Sequence, residues 1–123
     1  MADIKYKIDG VMTKLATFKQ SFRNQKKAFA YQASIADLES TMDELSDKEQ
    51  ILMYSSVGDK QIDFLADILK LDDDQKDKLE DLSFEEISEH VNYIVERIMG
   101  KTDKEIKEDA EKAEQEESGL TEQ

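Results

Sequence analysis

The 123 residues carry 30 Asp/Glu against 17 Lys/Arg, a net charge of −13, and are 38% apolar and 38% charged with no Trp. That size suits one domain with a thin core, while zero Pro, zero Cys and only four Gly favour helices over a turn-rich sandwich and exclude disulfides and thiol chemistry. The charge opposes nucleic acid, no apolar run approaches the roughly 18–20 residues of a membrane span, and MADIKYKIDG has no signal-peptide pattern, so a cytoplasmic protein is expected.

Asp3 to Asp9 alternates Ile4, Tyr6 and Ile8 with polar residues, the period of a half-buried strand. Asp9-Gly10 reads as a turn, and Val11, Thr13, Leu15 and Thr17 continue the alternation, so residues 3–17 suit a β-hairpin. Val11, Leu15, Phe18 and Phe22 also fit a helical face, and both readings stay open. From about Lys19 the β-branched residues disappear; Ile35, Leu38, Met42 and Leu45 then share one face of a helix ending near Leu45. Ser46 with Glu49 forms a capping box for a short helix holding Ile51, Leu52 and Met53, and Gly58 predicts its stop. Asp59 is placed to cap the next helix, whose buried stripe is Ile62, Leu65, Ala66 and Leu69. Asp72 to Asp74 cap a further turn or short helix with Leu79 and Leu82.

Ser83 with Glu86 makes another capping box, and Ile87, Val91, Ile94 and Ile98 fall on one stripe of an amphipathic helix. Gly100 supplies a left-handed stop, and Thr102 with Glu105 opens a last helix whose charges outnumber its apolar residues, Ile106, Ala110 and Ala113. From about Gln115 that helix is expected to fray. The expected fold is mainly α: a compact bundle of short helices over residues 1–100, with the N-terminal hairpin as one reading of residues 3–17. A charged helical tail spans residues 101–123.

Charge is unevenly laid along this order. Met1 to Ala33 holds seven Lys/Arg and two Asp/Glu, a net +5, whereas Ser34 to Gly100 is net −13 and Lys101 to Gln123 net −5. The basic first quarter could pair with the acidic remainder, with a second copy or with an acidic partner. Within it Lys19, Arg23, Lys26 and Lys27 interleave with Phe18, Phe22, Phe29 and Tyr31, but that aromatic spacing fits burial better than nucleic-acid binding.

No catalytic, cofactor-binding or metal site is predicted. His90 is the only histidine, expected half-exposed beside Val91, with Glu86 and Glu89 raising its pKa. Asp72, Asp73 and Asp74 fail the calcium-loop pattern, because Asp77 and Ser83 occupy the positions that need Gly and Glu. Gly10, Gly58, Gly100 and Gly119 are too dispersed for a phosphate cradle, so an enzyme is not expected. Tyr93, Val95 and Met99 lie off the helix stripe and are the candidate partner-binding residues.

DFLADILKLDDDQ (Asp63–Gln75), LEDLSFEEISEHVNYIVERIMG (Leu79–Gly100) and the charged KTDKEIKEDAEK after them resemble the tail assembly chaperones of long-tailed bacteriophages, particularly those of low-GC Gram-positive hosts. KYKIDG near the N-terminus is similar to that family's opening strand and turn. The resemblance implies a protein that binds and solubilises the tape-measure protein in the cytoplasm of the infected host, self-associates along it, and leaves before the virion is finished. It also implies a longer product, made by a backward slip of one base, that recruits the tail-tube protein. Gly100-Lys101 offers a place for that slip, since GGA before AAA or AAG after ATG lets both transfer RNAs re-pair. A permanent structural component of a virion or other assembly, and an acidic inhibitor imitating nucleic acid, are the competing readings.

Overall fold

The computed structural model describes residues 3–121. Met1, Ala2 and the last two residues of the tail lie outside the described residues, as do the side chains from Gln115 on, where fraying is expected. The elements are β1 (Asp3–Tyr6), β2 (Ala16–Lys19), α1 (Phe22–Ser40), a 3-10 turn (Met42–Glu44), α2 (Asp47–Leu69), α3 (Asp73–Leu79), α4 (Phe84–Ile98) and α5 (Asp103–Thr121). The fold is mainly α, as the composition requires.

The two strands form an antiparallel hairpin pairing Ile4 with Phe18 and Tyr6 with Ala16. Ile4 and Phe18 are thus opposite each other on the buried face. The second strand begins at Ala16 and not at Val11. Gly10 takes a left-handed conformation (φ 83°), and the amides of Val11 and Met12 both donate to the Ile8 carbonyl. That turn aims Val11 and Met12 inward together and breaks the alternation.

Ser21 caps α1 by accepting from the Asn24 amide. The helix ends at Ser40, short of the expected Leu45. Ser40 and Thr41 donate their hydroxyls to the carbonyls of Asp37 and Leu38, competing with the helical ladder. Gln50 then donates to the Met42 and Leu45 carbonyls at 3.0 and 3.2 Å, fixing the turn into α2.

The expected stop at Gly58 is overturned, because α2 runs unbroken from Asp47 to Leu69 and Asp59 caps nothing. Met53, Val57, Gln61, Leu65 and Ile68 repeat at helical spacing across the glycine, so burial carries the helix through it. It stops at Lys70, a non-glycine residue in the left-handed region (φ 55°) whose amide donates to the Ala66 carbonyl. Ser83 with Glu86 forms the reciprocal capping box read from the sequence and starts α4, and Asp72, expected as a cap, forms a reciprocal box with Gln75 that starts α3.

The centre of the core is Ile4, Ile8, Leu65, Leu79, Val91, Ile94 and Ile98, contributed by the hairpin, the second half of α2, α3 and α4. α1 joins it less completely, since Ala28 is its one buried residue.

Candidate functional site

Two places carry the residues of interest. The first is the junction of α4 and α5. Gly100 turns the chain with φ 103°, and the Lys101 amide donates to the Glu96 carbonyl at 3.0 Å. Tyr93 and Arg97, one turn apart on α4, grip Asp103 in the first turn of α5. The Tyr93 hydroxyl donates to Asp103 Oδ1, and Arg97 Nη1 reaches the Tyr93 hydroxyl at 2.7 Å and Asp103 Oδ1 at 2.5 Å. The Tyr93 hydroxyl, followed by the Arg97 guanidinium, holds the Asp103 carboxyl below its ordinary range, whereas burial pushes Tyr93 up. Lys101 Nζ lies 2.7 Å from Asp109 and 3.8 Å from Glu96, linking the start of α5 to the end of α4.

Of the partner-binding residues expected from the sequence, Met99 is exposed and Tyr93 is half-buried, whereas Val95 is buried at 7% exposure. The expectation that Val95 lies outside the packed face is thus corrected. α4 meets α1 as well as α2, so its buried arc is wider than the Ile87–Val91–Ile94–Ile98 stripe and takes in Val95. Tyr93 stacks on Tyr6 of β1 with centroids 4.9 Å apart. Tyr6 in turn pairs its hydroxyl with His90 Nδ1, and burial, with lesser effects of Tyr93, Glu89 and Asp9, pushes it up to about 12. His90 moves opposite to expectation. Burial lowers its pKa, and that outweighs the raising effects of Glu89, Glu86 and Asp9.

The second place is the outer half of the α1–α2 pair, where the sequence reading named no site residue. Ile51 (69% exposed), Leu52 (59%) and Tyr54 (52%) stand out from the first turns of α2, and Tyr54 meets the ring of Phe84 (44%) edge-on at 6.3 Å. One signal was legible in the chain: ILMY is four apolar residues in a row, and a helix can turn only some of them inward. Phe22 and Phe29 are exposed too, against the expectation of burial. They sit seven residues apart on the outer face of α1, with Lys26 Nζ 5.1 Å over the Phe22 ring.

Beside this row lies a groove of about 340 Å³ between α1, α2 and α4, bordered by Tyr31, Ile35, Val57, Gln61, Phe84 and Val95. Among the described residues no three His, Cys, Asp or Glu side chains converge as a metal site, and no helix is long and apolar enough to cross a membrane.

A family model described as phage tail assembly chaperone proteins, TAC, matches residues 4–117. The match runs from β1 into α5 and takes in the junction, the exposed row and the groove. The chain matches no curated protein and no solved structure. With nearly its whole length under the family model, the chain belongs to the phage tail assembly chaperones.

Proposed function

We propose that this chaperone, acting in the infected host, binds the tape-measure protein, keeps it soluble and helps the tail tube assemble around it. The observation that supports this most directly is the row Ile51, Leu52, Tyr54 and Phe84, which the domain leaves in water. Covering a large apolar side chain is worth about 1.5–3 kcal/mol, so a row of this kind gains by meeting the apolar stripe of a long client helix. Association costs offset much of that gain. Holding a long client therefore takes several copies along it, a role to which self-association would contribute. Acidic charge outside the row keeps the complex in solution, since the chain is net −13.

A longer product that recruits the tail-tube protein fits the junction at Gly100-Lys101, because the domain is packed up to Ile98 and the tail beyond the junction can be exchanged. The gene tests this: a glycine codon other than GGA or GGG, or no continuing frame, removes the site. Met99 and Tyr93, beside that junction, are candidate partner contacts for either product.

The test of client binding is co-expression with the tape-measure protein. The wild-type chain is expected to hold the client in the soluble fraction, and an Ile51→Asp, Leu52→Asp double variant to lose it while keeping its helical circular dichroism. A client equally soluble without the chain overturns the proposal. Finished virions are expected to lack the protein; finding it there supports a permanent structural component.

A further inference from the structure

We propose that the groove between α1, α2 and α4 seats one amphipathic client helix, and selects a helix bearing a basic side chain about one turn from a large apolar one. The seat presupposes the client binding proposed above and adds its location and its chemistry.

Shape is the first support. α1 and the residue before its cap touch α4 where Gln25 donates to the Ile98 carbonyl at 3.4 Å and Gln20 to the Arg97 carbonyl at 2.7 Å. Farther along, between Tyr31–Glu39 of α1 and Phe84–Val95 of α4, the groove separates them, with Val57 and Gln61 of α2 between. Phe84 to Val95 rises about 16 Å, three helical turns, which is the contact length of a packed helix. Three helices thus surround a position that a fourth would complete. Ile35, only half-buried on α1 and lining the groove, would gain cover from it. The chain's own α5 is held elsewhere, by Tyr93 and Arg97, on a different stripe of α4 from Phe84, Ser88, Asn92 and Val95.

Electrostatics is the second support. Glu39 is the one charged residue lining the groove, and it stands in a segment, Ser34 to Gly100, of net charge −13. Gln61 is 6% exposed, and its amide donates to Ser88 Oγ at 3.1 Å. Its Oε1 is buried with no partner. A buried acceptor left unpaired costs about 1–3 kcal/mol. An occupant whose donor meets Oε1 after a shift of the Gln61 amide relieves that cost, and one that brings a carboxylate adds repulsion from Glu39.

Three synthetic amphipathic helices test the seat, sharing one apolar face with a single Trp and differing in Lys, Gln or Glu beside it. The chain has no Trp, so the fluorescence reports the peptide alone. At about 0.5 M salt, where screening removes the long-range attraction of the acidic surface, the Lys peptide is expected to bind at least about tenfold tighter than the Glu peptide. Gln61→Leu changes no charge and is expected to shrink that preference. Ala36→Arg, at an exposed position on the rim, is expected to abolish binding of the Lys and Gln peptides without altering circular dichroism or Tm. It decides the matter even if Gln61→Leu fails to fold. Unchanged binding to Ala36→Arg, or a preference for the Glu peptide, overturns the seat. With the tape-measure protein as probe, equal solubilisation by wild type and Ala36→Arg overturns the seat while the chaperone function stands. Failure of the wild type overturns the function, and the peptides still decide the seat.

Discussion

Gly58→Ala is expected to stabilise the protein, because the glycine sits inside one unbroken helix. Glycine in a helix interior is about 0.8–1 kcal/mol worse than alanine, since the unfolded chain loses more backbone freedom on folding. Two structural facts decide whether that gain survives. Gly58 is not among the left-handed glycines, which are Gly10 and Gly100, so a side chain meets no backbone strain. A Cβ built on it lies 4.0 Å from Cδ2 of Phe84, an ordinary van der Waals contact that asks nothing of its neighbour. The net is about 1 kcal/mol of added stability, a rise in Tm of about 3–6 °C for a domain of this size. Gly100→Ala is the internal control of opposite sign: at φ 103° the alanine is strained, and a loss of about 1 kcal/mol or more is expected. Urea unfolding followed by circular dichroism reads both. If Gly58→Ala lowers the midpoint, the helix breaks at that residue and the continuous α2 is wrong.

Val95→Asp is expected to unfold the domain, because it forfeits about 1.5–3 kcal/mol of apolar burial and places an unpaired carboxylate between helices, against a total stability of about 5–15 kcal/mol. A cooperative thermal melt near the wild-type Tm would show that Val95 is not core. His90 sets a pH dependence whose sign follows from its lowered pKa. The folded protein keeps His90 neutral where the unfolded chain, at the ordinary value of 6.5, already binds a proton, so stability is full above that value and is lost as pH falls below it. Comparing urea midpoints at pH 7.5 and 5.5, His90→Gln is expected to flatten the drop. An equal drop in wild type and variant would assign it to other groups.

The local punctuation of this fold was legible because capping is short-range chemistry. Ser46 and Ser83, with their partners three residues on, and Asp72 as a cap start helices where the sequence places them, and Gly100 makes its left-handed turn. Gly58 misled because whether a helix runs through a glycine depends on one buried stripe continuing from Met53 and Val57 to Gln61 and Leu65, a continuity that the glycine itself does not signal. Lys70 was missed for the converse reason: a lysine carries no stop signal, and it accepts the left-handed conformation only because the packing of α2 ends there. At the junction, the sequence placed Tyr93, Val95 and Met99 together off one stripe. The structure separates them, since Tyr93 meets Tyr6, a residue 87 positions away in the chain, and Val95 is buried where α4 faces α1 across the groove. His90 moved against expectation because its neighbours Glu86 and Glu89 are visible in the sequence and the burial beneath Tyr6 is not.

Folding and the proposed client binding draw on different apolar residues, and that separation is what makes the proposal testable. Ile4, Ile8, Leu65, Leu79 and Ile94 close the core at the hairpin, the second half of α2, α3 and α4. Ile51, Leu52 and Tyr54 occupy the first turns of the same α2, beyond that core, and contribute little to the domain's own stability because they are already in water. A charged residue at 51 or 52 therefore costs the fold little and would cost a bound apolar helix its contact. At Val95 the same substitution would remove fold and groove together, and no binding result could be read from it. One helix, α2, thus supplies the core with one half and leaves the other available to a partner, and Gly58, near the middle, is where its buried stripe passes from Val57 toward Gln61 and Leu65.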